Sequence, residues 1–186
     1  IAAVDLNLGC PAPIVCRKRA GGGLLRELPL VDEILRSLRE VTTTPLTVKT
    51  RLGFADPSEF DAILELLARH PLDMVAIHGR TVRQLYGGVV DYGRIAQAAR
   101  RLPFPVIANG DIDTVDKALA VLRRTGARGL MVGRGAIRNP WIFGQIRQAL
   151  RAETIQYPTG REVGSYLHEL YEATSPAGIS ARDRID

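Results

Sequence analysis

Cys10 stands in the run Asp5-Leu6-Asn7-Leu8-Gly9-Cys10-Pro11, just past a short apolar segment and on a turn shaped by Gly9 and Pro11. A thiol in that setting can serve as nucleophile, proton donor or metal ligand. No base lies beside it in sequence, so acid/base work suits it at least as well as nucleophilic attack. Cys16 reads as a bystander, since one thiol in the loop suffices. Lys49 and His78 each stand at the end of a later apolar run. A buried lysine needs an anionic partner, either a bound ligand or a carboxylate on a neighbouring strand. His78 either donates a hydrogen bond to that same ligand or is tied to backbone. Asn109-Gly110-Asp111 and Gly133-Arg134-Gly135 end the last two apolar runs. Small residues let backbone N–H groups approach an anion closely, a following helix adds a favourable dipole, and Arg134 offers a countercharge.

These groups need a frame that brings five distant points together. The pattern is strand, loop, helix, repeated. Apolar strands are predicted at residues 1–7, 46–49, 74–77, 106–108 and 130–132, with ends near Asn7, Lys49, His78, Asn109 and Gly133. Between them Leu30, Val31, Ile34, Leu35 and Leu38 recur at helical spacing, as do Phe60, Ile63, Leu64 and Leu67. Asp56, Pro57 and Glu59 give the latter helix a start signal. Further helices are predicted at 91–101, at 141–151 and through Val115, Ala118, Leu119 and Leu122 to a stop at Gly126. Short apolar strands alternating with helices imply a parallel sheet covered on both faces. A doubly wound sheet gathers its chemistry at one switch point, whereas a TIM barrel gathers it at the carboxyl ends of many strands. All five strand ends carry polar groups here, so the expected fold is α/β, the last five βα units of a TIM (β/α)8 barrel over residues 1–152. A whole barrel takes about 250 residues, so roughly 90 residues of barrel are expected upstream. The opening Ile1-Ala2-Ala3-Val4, without Met, reads as a piece of something longer. From 153 to 186 the start of a small helical domain is expected. Thr159 and Glu162 form its capping box, and Val163, Tyr166, Leu167, Leu170 and Tyr171 its apolar face. Residues 175–186 are polar and predict nothing.

Composition narrows the partners. The 186 residues are 46% hydrophobic and 24% charged, which argues against a disordered tail. No apolar run approaches the roughly 20 residues that span a bilayer, and no leader pattern is seen, so no membrane is expected. Net charge is +5, and arginine supplies nearly all of it, since Lys18, Lys49 and Lys117 are the only lysines. That balance suits a phosphate-bearing partner, or reflects composition bias with ordinary solvated helix faces. Two cysteines and no Cys/His cluster fit a reducing cytoplasm without a structural metal. Oligomeric state is open, a monomer being the default. If the ligand is flavin mononucleotide (FMN), Lys49 beside its pyrimidine edge would stabilise the charge of the reduced ring.

Six segments in order then resemble the signature of the tRNA-dihydrouridine synthases: 5–11 (DLNLGCP) with 20–25 (AGGGLL), 48–53 (VKTRLG), 77–81 (IHGRT), 106–112 (VIANGDI) and 131–135 (MVGRG). Residues 139–143 (NPWIF) look most like the bacterial B-type branch. The resemblance implies a flavoenzyme that reduces C5=C6 of specific uridines in tRNA, using FMN recharged by NADPH. It implies hydride transfer from FMN to C6 and a proton from Cys10 to C5. Lys49, His78, Asn109, Gly110, Asp111, Gly133 and Arg134 fall on FMN-binding positions, and Asn7 and Arg51 where the family holds flavin and uracil edges. The helical segment would open a tRNA-docking module. The family's first strand and its flavin-contacting glutamine strand have no counterpart in these residues, so the 186 residues alone are expected to bind FMN weakly and not to catalyse. Two other readings stand beside this one: an FMN barrel acting on free pyrimidines, of the dihydroorotate or dihydropyrimidine dehydrogenase kind, and an RNA-binding remnant with a vestigial flavin site.

Overall fold

A computed structural model describes residues 2–174. Five parallel strands form one sheet: β1 (Val4–Leu8), β2 (Leu46–Arg51), β3 (Met74–His78), β4 (Val106–Asn109) and β5 (Gly129–Met131). Their spatial order is their chain order, β1-β2-β3-β4-β5. A doubly wound sheet must reverse direction at a switch point; this one never does, so its crossovers run one way, as in a (β/α)8 barrel. The fold is α/β, a partial TIM barrel of five consecutive strands. Among the described residues β1 pairs only with β2 and β5 only with β4. The central β3 is buried along most of its length, whereas β5 is half-buried throughout and β1 alternates between half-buried and exposed up to buried Leu8.

The helices are α1 (Pro13–Arg17), α2 (Leu28–Val41), α3 (Phe60–Ala68), α4 (Tyr92–Arg101), α5 (Val115–Thr125), α6 (Arg134–Arg138), α7 (Ile142–Leu150) and α8 (Gly160–Thr174). The start of α3 follows its sequence signal. Ser58 N donates to Asp56 Oδ1 at 2.7 Å, and Glu59 reaches back to the amides of Phe54, Ala55 and Asp56. This box caps a 3-10 turn at Pro57–Glu59 that runs into α3. Phe60, Ile63, Leu64 and Leu67 are then essentially fully buried, each contributing roughly 1.5–3 kcal/mol of apolar transfer. On α5 the N-cap is Thr114, and Gly126 closes the helix at φ 65°. Its buried face is turned from the expected one: Ala118, Val121 and Thr125 face the core, while Val115, Leu119 and Leu122 are half-buried.

Some boundaries differ from the sequence reading. β2 continues two residues past Lys49, because Thr50 and Arg51 still pair with Ile77 and His78 of β3. β1 starts at Val4 and reaches Leu8, and β5 is shifted to end at Met131. The short α1 and α6 and a 3-10 turn at Gly21–Arg26 have no periodicity long enough to read.

The chain divides into two compact units, the second beginning at Phe143. Within that second unit, Gln148 Oε1 accepts from Gln156 N at 2.9 Å. The expected capping box is present: Thr159 N donates to Glu162 Oε2 at 2.7 Å and Glu162 N to Thr159 Oγ1 at 3.3 Å. Val163, Leu167 and Tyr171 lie exposed on α8, while Tyr166 and Leu170 are half-buried. Residues 175–186 lie outside the described residues. No helix among the described residues is long and apolar enough to cross a membrane. None of their His, Cys, Asp and Glu side chains cluster in a way that could hold a metal ion.

Candidate active site

The strand register lines up the polar groups in a row. Asn7 pairs with Lys49, Arg51 with His78, His78 with Asn109, and Asn109 with Met131. All of them line one cavity of about 590 Å³ at the carboxyl ends of the strands, within the usual range for a small-molecule site. Cys10, Gly110, Asp111, Gly133 and Arg134 line it too, so every residue singled out in the sequence opens onto the same space. A second cleft, of about 630 Å³, lies on the side where β3 begins, around Asp32, Arg69 and His70. Its Asp32 pairs with His70 at 2.8 Å as well as with Arg36 and Arg69, and its Arg39 with Asp73.

Cys10 is held by its surroundings rather than by a neighbouring base. Asn7 Oδ1 accepts from the amides of both Gly9, at 2.9 Å, and Cys10, at 3.0 Å. Only an oxygen can accept both, which fixes the amide orientation and leaves Nδ2 as a donor. On the other side Gly22 N donates to Cys10 O at 2.9 Å. The glycine run earns its place here: a Cβ on Gly22 would lie 2.8 Å from Cys10 O and one on Gly23 2.7 Å from Cys16 O. Cys10 itself is half-buried and Cys16 is buried, so only the former is placed to react.

Arg51 has a task that its motif does not reveal. At 2% exposure, its Nε donates to Gly9 O at 2.9 Å and its Nη1 to Thr81 O at 2.9 Å and Leu85 O at 2.6 Å. It therefore clamps the Cys10 loop to the loop after β3. Only Nη2 has no acceptor among the described residues and remains available to a ligand.

Lys49 is half-buried and has no hydrogen-bond or ion-pair partner among the described residues. Burial, reinforced by Arg51, holds its pKa below the ordinary lysine value against the opposing pull of Asp5 and Cys10. His78 is 6% exposed. Its burial, with Arg51, Lys49 and Arg80 nearby, pushes its pKa down to about 3, so the imidazole is neutral at pH 7. Asn109 donates through Nδ2 to Met131 O at 2.8 Å, bridging β4 to β5 and leaving Oδ1 for the cavity. Gly110 has φ 129°, and a Cβ there would lie 2.9 Å from His78 Cδ2, so only glycine lets the chain pass behind the imidazole.

The corner where the sequence reading expects an anion is built from both last loops. A Cβ on Gly133 would meet nothing within 4 Å, so its backbone faces open space, whereas one on Gly135 would lie 2.3 Å from Ile112 O. Gly133 serves access and Gly135 serves packing. Asp111 pairs with Arg134 at 3.2 Å and is gripped by Arg80, whose hydrogen bonds hold its carboxyl below the usual carboxylate range. Arg134 also sits 4.7 Å from the centre of the Tyr86 ring. Gly135, named in the sequence as part of the Gly133-Arg134-Gly135 run, completes this region together with Arg80, Tyr86, Lys117 and Arg138, to which the sequence reading assigned no site role. Only Arg80 and Gly135 lie inside quoted motifs, and their roles depend on contacts 31 and 23 residues away, with Asp111 and Ile112.

Several known proteins resemble this chain over most of its length. A tRNA-dihydrouridine synthase B of Xanthomonas axonopodis is 40% identical over 156 residues, 83% of this chain and 47% of its own length. A probable tRNA-dihydrouridine synthase of Helicobacter pylori is 47% identical over 151 residues, 79% of this chain and 45% of its own. A synthase B of Vibrio parahaemolyticus is 39% identical over 178 residues, 90% and 55% respectively. The chain thus spans about half the length of the curated relatives it matches. A solved FabK mutant from Thermotoga maritima aligns at 16% identity and TM-score 0.33 over 74% of this chain and 63% of that one, a likeness too slight to bear on the fold. The model of the dihydrouridine synthase (Dus) family matches residues 1–176. With relatives of the B type at this level of identity, the chain belongs to the dihydrouridine synthase family, on its bacterial B-type side.

Proposed function

We propose that the complete protein reduces selected uridines of tRNA to 5,6-dihydrouridine, with FMN in the strand-end cavity and NADPH as reductant. The observation that carries this reading is the pairing of an uncommitted, half-buried Lys49 ammonium with a neutral His78 on the wall of one cavity. An ammonium is costly to bury alone, and a ligand with an electron-rich polar edge offsets that cost. The residues fit a flavin nucleotide in kind. Lys49 and His78 would hold the polar edge of its ring, and Asn109, Gly110, Asp111, Gly133 and Arg134 its phosphate-bearing end. When bound, FMN supplies a hydride for C6 of the pyrimidine, replenished from NADPH.

The chain's own groups do the rest. Cys10 gives its thiol proton to C5, from a loop pinned on one side by Asn7 and on the other by Arg51. Asn7 Nδ2 and Arg51 Nη2, the donors left over from that bracing, hold the uracil carbonyls. A uridine must leave its stack to reach groups at this depth, so specificity resides in how the RNA docks. The arginine surplus serves tRNA phosphates; residues 1–152 are the barrel portion, and the segment from 153 onward begins a tRNA-docking module. The cytoplasm is the enzyme's expected compartment and a monomer the default assembly.

The test uses the full product of the gene. NADPH oxidation is followed with FMN and tRNA lacking dihydrouridine, across a range of salt. Oxidation that requires tRNA and weakens steeply as salt rises is expected, because phosphate contacts release counterions. Oxidation supported by free uracil or orotate and indifferent to tRNA would instead make the protein a free-pyrimidine enzyme.

A further inference from the structure

Arg80 is 2% exposed, follows β3 directly and has every N–H committed. Nε and Nη2 donate to Gly88 O, at 3.2 and 2.6 Å. Nη1 and Nη2 form a two-pronged fork on the Asp111 carboxylate, with Nη1 at 3.1 Å from Oδ1. The last Nη1 proton faces His78 Nε2 at 3.5 Å. The fork, the backbone carbonyl and the ring nitrogen come from three different chain segments, so the guanidinium cannot rotate away from the imidazole without losing several bonds at once.

A guanidinium only donates. The ring nitrogen facing it must therefore be the bare one, and the imidazole proton is displaced to Nδ1. No residue among those described accepts from Nδ1, and the nitrogen is not sealed off as an orphaned buried atom. His78 lines the cavity, so Nδ1–H is exposed to whatever occupies it. We propose that Arg80 is a positioning residue: anchored by Asp111 and Gly88, it fixes His78 as the Nδ1–H tautomer and so makes it a hydrogen-bond donor to the cavity ligand. Imidazole in water favours the opposite, Nε2–H form, so the protein imposes the less common one. The charged groups facing the ring are Lys49 and Arg51 from β2, Arg80 itself and Asp111 after β4. Burial, helped by three cations against one anion, keeps the ring neutral, which is what allows a tautomer to be set at all.

The inference concerns the free protein and stands apart from the flavin reading. Histidine ring nitrogens are read by long-range proton–nitrogen NMR on ligand-free protein at pH 7. The chain has three histidines, and His78→Gln assigns the signals. The wild type is expected to show a protonated Nδ1 and a bare Nε2 for His78. Arg80→Met should return the ring toward the Nε2–H form, and Arg80→Gln serves the same purpose if Arg80→Met does not fold. A wild-type His78 with its proton on Nε2, or on both nitrogens, would overturn the proposal without recourse to any variant. So would an unchanged Nδ1–H spectrum in a folded Arg80 variant, which would move tautomer control elsewhere.

Discussion

Asn7 separates two roles that one side chain combines, and replacing it tells them apart. Asn7→Ala removes the acceptor for two loop amides, those of Gly9 and Cys10. A neutral hydrogen bond contributes about 0.5–1.5 kcal/mol net. The Cys10 amide pair is exposed to water and belongs at the low end, so the two together come to about 1–2 kcal/mol. That energy falls on one loop and opens it locally rather than globally. Since 1.4 kcal/mol is tenfold in an equilibrium, hydrogen exchange at the Gly9 and Cys10 amides should speed up by about 5- to 30-fold. Alkylation of the Cys10 thiol should rise in parallel, and Cys16, being buried, does not confuse the readout. Asn7→Asp keeps an acceptor of the same shape, loses the Nδ2 donor and adds a negative charge across from Lys49. It should leave exchange close to wild type while weakening substrate binding. Equal loop opening in Asn7→Asp and Asn7→Ala would refute the bracing role, because the acceptor would then not be what holds the loop.

The remaining expectations follow from the same geometry. Gly135→Ala should lower stability by about 1–3 kcal/mol, because its Cβ meets the Ile112 carbonyl oxygen at 2.3 Å. Gly133→Ala, with nothing within 4 Å, should cost less in urea unfolding yet reduce affinity for inorganic phosphate or FMN. Lys49→Met should leave the ligand-free chain as stable or more so, because it removes a poorly solvated charge, and should weaken FMN binding at least tenfold in a fluorescence titration. His78 titrates at about 3 in the folded chain, from an ordinary value of 6.5. Between those values the unfolded chain binds a proton that the folded chain refuses, so this group's contribution to stability falls as pH falls. From pH 7 to pH 5 that loss is on the order of 1 kcal/mol after allowing for partial solvent screening, and His78→Gln should lose correspondingly less over the same interval.

What could be read in the sequence was whatever is encoded locally. Asp56 and Glu59 announced the start of α3, Gly126 closed α5, and each polar strand-end residue stood beside the apolar run that delivers it. The barrel-like order followed from chemistry spread over several strand ends, and the uniform strand sequence bears it out. The unread part is long-range. The clamp Arg51 makes was not legible because its backbone partners lie 42, 30 and 34 residues away. Arg80 received no separate sequence reading because its carboxylate partner is 31 residues away. The turned face of α5 has the same origin, since periodicity marks which residues are apolar and the neighbouring elements decide which of those are covered. In each case a guanidinium or an apolar stripe has several partners open to it, and only the folded chain selects among them.

The central claim is that these strand-end groups serve reduction of uridine in RNA with Cys10 as proton donor. Its most direct test is nucleoside mass spectrometry of tRNA lacking dihydrouridine after incubation with the full gene product, FMN and NADPH, beside a Cys10→Ala variant. A uridine heavier by two hydrogens in the wild type, with strong impairment in Cys10→Ala and intact FMN binding in both, is the predicted result. A wild-type protein that binds FMN and leaves every uridine unchanged, or a Cys10→Ala variant as active as wild type, would contradict it.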